Sequence, residues 1–434
     1  MRNYAILKNM LAKFFQLSKY QNLQVEDLQR NLRAHILDGS LFGFAMSLIS
    51  VNTIMPVFIQ QVGGNSVAIS SVPVLWWLGV NLPQALFIRL THRGTQAKSF
   101  MLRYGLLHRL SFLAIAIFTL AASARLRSSW IVLALLVMIF LSAVSNSMAS
   151  PPWFQVFTKT TPVKIRGRLI ALRQILSSAF GVLGGSLVAV ILATIQTPVN
   201  FAVLFALAFI FAMLSFMCLR TLREPQSKEF VPMTHGLVIN ARKILTTDRR
   251  IRDVIIADVL ILMSMTAAAF YAVYALEKFS LPASYAGTFT VLVMSSMVLG
   301  NVVFGFLADH FGHRVNWLIL AGCSAAASLM AIIASNILLY GLVFFFMACT
   351  TTLQGISRLS LLAELSAEAE RPIYVAFVNT ITAPAVFVGV LFGGVARWFG
   401  YASVFILAAL LSAAAFFWIY FYVQEPREMA RRIA

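Results

Sequence analysis

The chain has 434 residues, of which 60% are hydrophobic and 11% charged, less than half the share of about 25% that a water-facing domain carries. A charge in hydrocarbon is costly, so the deficit excludes an ordinary soluble protein and implies a surface that largely faces lipid. The formal net charge of +19 does not point to nucleic acid, because the basic residues fall between apolar blocks instead of forming an exposed recognition face.

Residues 1–33 lack the apolar core and small-residue cleavage site of a signal peptide. Ile6, Leu7, Met10, Leu11, Phe14 and Phe15 recur at helical spacing, with Lys8, Lys13, Gln16 and Lys19 on the other side. That pattern predicts an amphipathic leader lying in the interface, its lysines toward anionic headgroups on the inner face of a bilayer.

A spanning helix takes about 20 apolar residues. Twelve such runs follow, near 35–60, 66–89, 101–123, 130–156, 168–194, 199–220, 253–276, 284–307, 316–334, 337–357, 372–396 and 401–422. Pro56, Pro73, Pro83 and Pro384 fall inside them, which membrane helices tolerate where neighbours or water satisfy the freed backbone groups. With residue 1 inside and sides alternating, 30 of the 34 Lys/Arg lie on the inner side. This bias places both termini in the cytoplasm. The domains expected are a leader (1–33), a six-helix bundle (34–220), a cytoplasmic linker (221–252), a second six-helix bundle (253–423) and a cytoplasmic tail (424–434).

The halves match weakly but in register. Arg33 and Asp38 open the first helix, and Arg252 and Asp258 the seventh. Thr91-His92-Arg93-Gly94 follows the second helix, as Asp309-His310-Phe311-Gly312 follows the eighth. Gly181, Gly184 and Gly185 in the fifth helix correspond to Gly389, Gly393 and Gly394 in the eleventh. Such matches argue for an internal repeat, and repeated halves around a midplane site are a common transporter design.

With six plus six helices, a basic central loop and short turns, the chain resembles the major facilitator superfamily. The sharpest likeness is Gly305-Phe-Leu-Ala-Asp309-His310-Phe-Gly312-His313-Arg314, which is similar to that family's loop signature. Gly167 between Arg166 and Arg168 resembles another family feature. The first-half copy departs from the signature, with Thr91 where its aspartate would stand. The resemblance implies an all-α membrane fold of two pseudo-symmetric bundles and a cytoplasmic gate built from Gly305, Asp309, Gly312 and Arg314. In that gate Asp309 would face the start of the fifth helix near Arg166 and Arg168, where helix N–H groups favour negative charge, with Arg358 able to hold it from its own half.

Asp38 and Asp258 are the candidate proton-coupling residues, since a carboxylate in low dielectric can take up and release a proton; the structural reading gives them salt bridges to Arg33, Arg252 or Arg109. Among the mid-span amides, Asn52, Gln174 and Asn379 are the candidate solute contacts, because they lie on helices that line the family's cavity. A mostly apolar, amide-dotted cavity suits a neutral or amphipathic solute, and export is the direction its composition favours, with uptake of a neutral nutrient second. The sequence holds no nucleophile–base pair and no phosphate-cradling loop. An enzyme or an ATP-driven pump is therefore excluded, and the soluble segments are too short for a sensor's signalling module. Cys218, Cys323 and Cys349 read as membrane-interior fillers. No cofactor, metal or nucleic acid is expected; the partners are a small-molecule solute, protons as a coupling candidate and the bilayer, and the protein is read as a monomer.

Overall fold

A computed structural model describes residues 25–83, 97–122, 129–225, 249–365 and 378–425, and every regular element among them is helical. In hydrocarbon a backbone must satisfy its own hydrogen bonds, and the described residues do so as twelve helical segments. The first half holds α1 (Val25–Leu48 continued by Ile54–Gln61), α2 (Ser66–Asn81), α3 (Ala97–Ala121), α4 (Ser129–Thr160), α5 (Val163–Thr194) and α6 (Val199–Arg220). The second half holds α7 (Arg249–Lys278), α8 (Tyr285–Phe311), α9 (His313–Ile333), α10 (Ile337–Leu365), α11 (Val378–Phe399) and α12 (Tyr401–Tyr422). Ten of these are long and apolar enough to cross a membrane. The other two are α1, which is interrupted and carries Arg30, Arg33 and Asp38, and the shorter apolar α2. Residues 1–24 of the expected leader, the Thr91–Gly94 loop, most of the linker and most of the tail lie outside the described residues, while residues 25–33, assigned to the leader, instead open α1.

The helices are longer at one end than the hydropathy runs suggest. α1 starts at Val25, α3 at Ala97 and α5 at Val163, while α10 continues to Leu365. Arg109, Arg173 and Arg358, counted above with the inner segments, therefore sit well inside helices. Arg109 and Arg358 are buried, and Arg173 is half-buried. This end of the bundle is called the basic end below.

The repeat is visible in the packing. Behind α6, Glu224 Oε2 accepts from the Lys98 backbone N–H at 2.9 Å, at the start of α3. Behind α12, Glu425 Oε2 accepts from the Arg314 N–H at 2.9 Å, at the start of α9. A carboxylate there satisfies an orphan donor and complements the helix dipole. Lys159 Nζ also donates to Glu224 at 2.9 Å.

The glycine repeats seat the halves on each other. Gly185 of α5 lies against Gly287 and Val291 of α8, and Gly393 of α11 lies against Val67 and Ser70 of α2. A Cβ on Gly287 would sit 2.3 Å from the Ala189 backbone nitrogen, so helix axes this close require glycine. Toward the end away from the basic one, Thr53 and Thr290 share a hydroxyl–hydroxyl bond of 2.7 Å, and Gln60 donates to Glu277 at 2.7 Å. The seam is thus closed at the far end. Near the basic end, a Cβ on Gly167 or Gly305 would meet nothing within 4 Å.

Candidate functional site

Three helices lose regular geometry at mid-depth. α1 breaks over residues 49–53, where the Ile54 N–H reaches back to Ser50. α7 breaks at Thr266–Ala267, and there the Thr266 hydroxyl takes the Met263 carbonyl at 2.7 Å in competition with the backbone. α11 tightens into a 3-10 turn over Ala383–Phe387 with Pro384 near its start. Irregular backbone at membrane depth is tolerated where it lines a cavity, and all three breaks meet at one. The first half contributes Asn52, Pro73 and Trp77 to its walls; the second contributes Leu262, Met265, Thr266, Tyr271, Ser324, Met347, Thr350, Thr351 and Val386.

The polar wall is braced by hydroxyls behind it. Ser324 is bonded to Ser264 at 3.1 Å and receives Ser412 at 3.0 Å. The Tyr271 hydroxyl meets Ser328 at 2.9 Å, and Tyr340 donates to the Tyr271 carbonyl at 2.8 Å. Buried polar groups need such partners, and these fix the direction in which Tyr271 and Ser324 face the cavity.

One helical turn toward the basic end lies a sealed ion pair. Arg358 Nε donates to both Asp258 oxygens at 2.9 Å, and Nη2 donates to Oδ2 at 2.7 Å. Nη1 donates to Asn379 Oδ1 at 2.7 Å and Nη2 to Thr382 Oγ1 at 3.0 Å. The side chains of Arg358 and Asp258 are 7% and 1% exposed. This is the bidentate geometry for which the guanidinium fork is suited.

The first half has its own version. Arg173 Nη2 donates to Asp38 Oδ2 at 3.0 Å and Nη1 to the His35 carbonyl at 2.7 Å. Ser215 donates to Asp38 Oδ1 at 2.7 Å, and Arg109 donates to Ser215 at 3.1 Å and to the Ala212 carbonyl at 2.6 Å. The two aspartates occupy matching places, yet their arginines do not: Asp38 takes its partner from α5, Asp258 from α10. Among the described residues no group of three or more His, Cys, Asp or Glu side chains could hold a metal.

A chain of this build has a known pattern: the Major Facilitator Superfamily model matches residues 37–356 and 254–433. The chain belongs to the major facilitator superfamily. It is accordingly a multi-pass transmembrane transporter and not an enzyme. No curated protein sequence matches it. Among solved structures, a mutant form of the nucleoside transporter NupG aligns with a TM-score of 0.73 at 11% identity, covering 91% of this chain and 100% of that one. A D-xylose–proton symporter aligns at 0.71 and 17%, covering 92% and 98%. The xylose transporter XylE from E. coli, in an inward-open conformation, aligns at 0.66 and 18%, covering 91% and 96%. At these identities the likeness is one of fold.

Within this superfamily member, the sequence candidates scatter. Asn52 lines the cavity. Asn379 is half-buried and held by Arg358 instead of facing the cavity. Gln174 is exposed on α5, outside the cavity lining. Asp38 and Asp258 are both buried; the arginines bonded to them are Arg173 and Arg358, not Arg33 or Arg252, and Arg109 reaches Asp38 only through Ser215.

The gate candidates divide too. Gly312 joins α8 to α9 at φ +85°, a conformation that favours glycine, and Arg314 donates through Nη2 to the Tyr420 carbonyl at 2.8 Å. Gly305 is half-buried, while Asp309 and Arg168 are exposed. Arg166 caps the end of α4 through the Thr158 and Thr161 carbonyls. Arg358 is committed to Asp258, Asn379 and Thr382, and its place between α7 and α11 explains why it does not hold Asp309.

Proposed function

We propose that this transporter moves a small neutral or amphipathic molecule by alternating access across a bacterial-type inner membrane, coupled to protons that exchange at Asp38 and Asp258. The observation that carries the reading is the cavity between the halves, walled by apolar side chains and hydroxyls and backed by a buried Asp–Arg pair. A neutral solute needs no fixed counter-charge, and each buried arginine already has its acceptors. The positive residues make the basic end cytoplasmic, so the seam closed by Gly185, Gly287 and Gly393 is the outer gate and the structure faces inward. In the outward-facing state the inner ends would close, with Asp309 meeting the α5 N-terminus beside Arg166 and Arg168. The leader would rest on anionic headgroups, and the protein would act as a monomer.

Export is the direction we favour, because Pro73, Trp77, Leu262, Met265, Met347 and Val386 give the cavity walls suited to an amphipathic solute. Uptake of a neutral nutrient is the second reading, favoured by the hydroxyls at Thr266, Tyr271, Ser324, Thr350 and Thr351 and by solved structures of a D-xylose–proton symporter and a nucleoside transporter. Energised right-side-out vesicles decide between them with Nile red, D-xylose and uridine as probes. Export predicts loss of preloaded Nile red that stops in Trp77→Ala. Accumulation of D-xylose or uridine replaces export with uptake, and indifference to all three probes removes the neutral-solute reading.

A further inference from the structure

Gln354 is buried at 7% exposure, and neither its amide nitrogen nor its amide oxygen has a hydrogen-bond partner. A buried amide left unpaired is destabilising, and each such group in a native protein calls for an account. Its position supplies one. At 100° per residue, Met347, Thr351, Gln354 and Arg358 fall on one face of α10; Met347 and Thr351 line the cavity, while Arg358 grips Asp258. Opposite, on antiparallel α7, Asp258 stands one turn from the cavity residue Leu262, and on α11 Thr382 stands one turn from the cavity residue Val386. Three helices thus run from the cavity to the ion pair, and Gln354 is the polar side chain on α10 between the two levels.

We propose that Gln354 is the solute-binding residue that connects the cavity to the Asp258–Arg358 pair. Its free donor and acceptor would take a hydroxyl or carbonyl of the solute as it settles toward the pair, so that occupancy is felt one turn away by Arg358. The proposal rests on the neutral-solute reading for its ligand class, while the placement of Gln354 on the path stands apart from it. Two other span amides behave differently. Asn81 and Asn301 each donate to a carbonyl one turn back, at 2.8 and 2.7 Å.

Two measurements test this in full-length protein reconstituted in liposomes. First, with Cys218, Cys323 and Cys349 replaced by Ala, Gln354→Cys is treated for minutes with the neutral, hydrophilic reagent hydroxyethyl methanethiosulfonate, so that all states of the cycle are sampled. Phe345→Cys, at a mid-helix position 41% exposed and on the opposite face of α10 from Gln354, is the control for the lipid-facing side. Labelling of position 354 at least tenfold faster than position 345 is expected; equal rates overturn the proposal. Second, for whichever of D-xylose and uridine the wild type carries, Gln354→Leu should raise KM at least tenfold, and Gln354→Asn should restore part of it. An unchanged KM overturns the proposal. If neither probe is carried, the neutral polar solute class fails, and the labelling result alone decides whether Gln354 lies on the path.

Discussion

Asp258→Asn gives the sharpest energetic test of the buried pair. The substitution preserves shape and one acceptor oxygen but removes the negative charge facing Arg358, whose other acceptors, Asn379 and Thr382, are neutral. With the Arg358 and Asp258 side chains 7% and 1% exposed, water cannot replace the lost charge. Breaking a buried pair by removing one partner costs about 3–5 kcal/mol. The retained oxygen places Asn near the lower figure, about two powers of ten in the folded-to-unfolded ratio, since about 1.4 kcal/mol is a factor of ten. Replacing both members by Leu should be nearly neutral, because desolvation of the charges disappears together with their attraction. Reversible unfolding in mixed detergent micelles, followed by helical circular dichroism, measures all three variants. The reasoning is refuted if Asp258→Asn is as stable as wild type, or if the double Leu variant is less stable than the single one.

Other perturbations separate parts of the structure that the same loop motif or seam contains. Gly312→Ala places a Cβ 2.4 Å from Glu425 Cδ at φ +85°, so it should lose about 1–3 kcal/mol, whereas Gly305→Ala, with open space around its Cβ, should be neutral or gain up to about 1 kcal/mol; thermal unfolding compares them. Gly287→Val overpacks the seam against the Ala189 backbone at a cost of about 1–3 kcal/mol. It should shift the resting population toward an open outer gate, seen as faster thiol labelling of a cysteine at Gln60. Arg173→Ala should destabilise less than Arg358→Ala, because the side chain of Arg173 is 16% exposed and that of Arg358 only 7%; equal losses in the unfolding assay would contradict that ranking.

Much of the fold was legible because lipid imposes a simple rule on composition: runs of apolar residues long enough to span. Gly181 and Gly389 marked equivalent places in the halves, and both lie on the seam, Gly181 against Met294 and Gly389 against Val74. The arginines were misplaced for a physical reason. Arg358 lay just past the run 337–357, yet α10 continues as helix to Leu365; Arg109 and Arg173 fell inside their runs but were counted with the inner segments, because a charge near a span's end reads as a boundary residue. A count of positive residues by side is unaffected, so the topology argument could not notice them.

The site was less legible. Depth along a span does not say which way a side chain faces, which is why Gln174 proved exposed and Asn379 belonged to the ion pair. The face of α10 was available from helical phase alone, since Gln354 lies four residues before Arg358. The cavity's hydroxyls gave no such signal, because Ser and Thr are ordinary occupants of membrane helices that bond to their own backbone. The break in α7 has neither Gly nor Pro to announce it; Thr266 and its bond to the Met263 carbonyl mark the place only once the structure is known.

Proton coupling at Asp38 and Asp258 is the step on which the proposed transport cycle depends. It is tested most directly in proteoliposomes loaded with a pH-sensitive dye and challenged with D-xylose, uridine and Nile red. A solute-dependent pH change is expected with wild-type protein and should disappear in Asp38→Asn or Asp258→Asn while the mutant still binds the solute. Solute flux without a pH change, at the same rate in wild type and both mutants, would contradict it and leave the two aspartates as structural partners of Arg173 and Arg358.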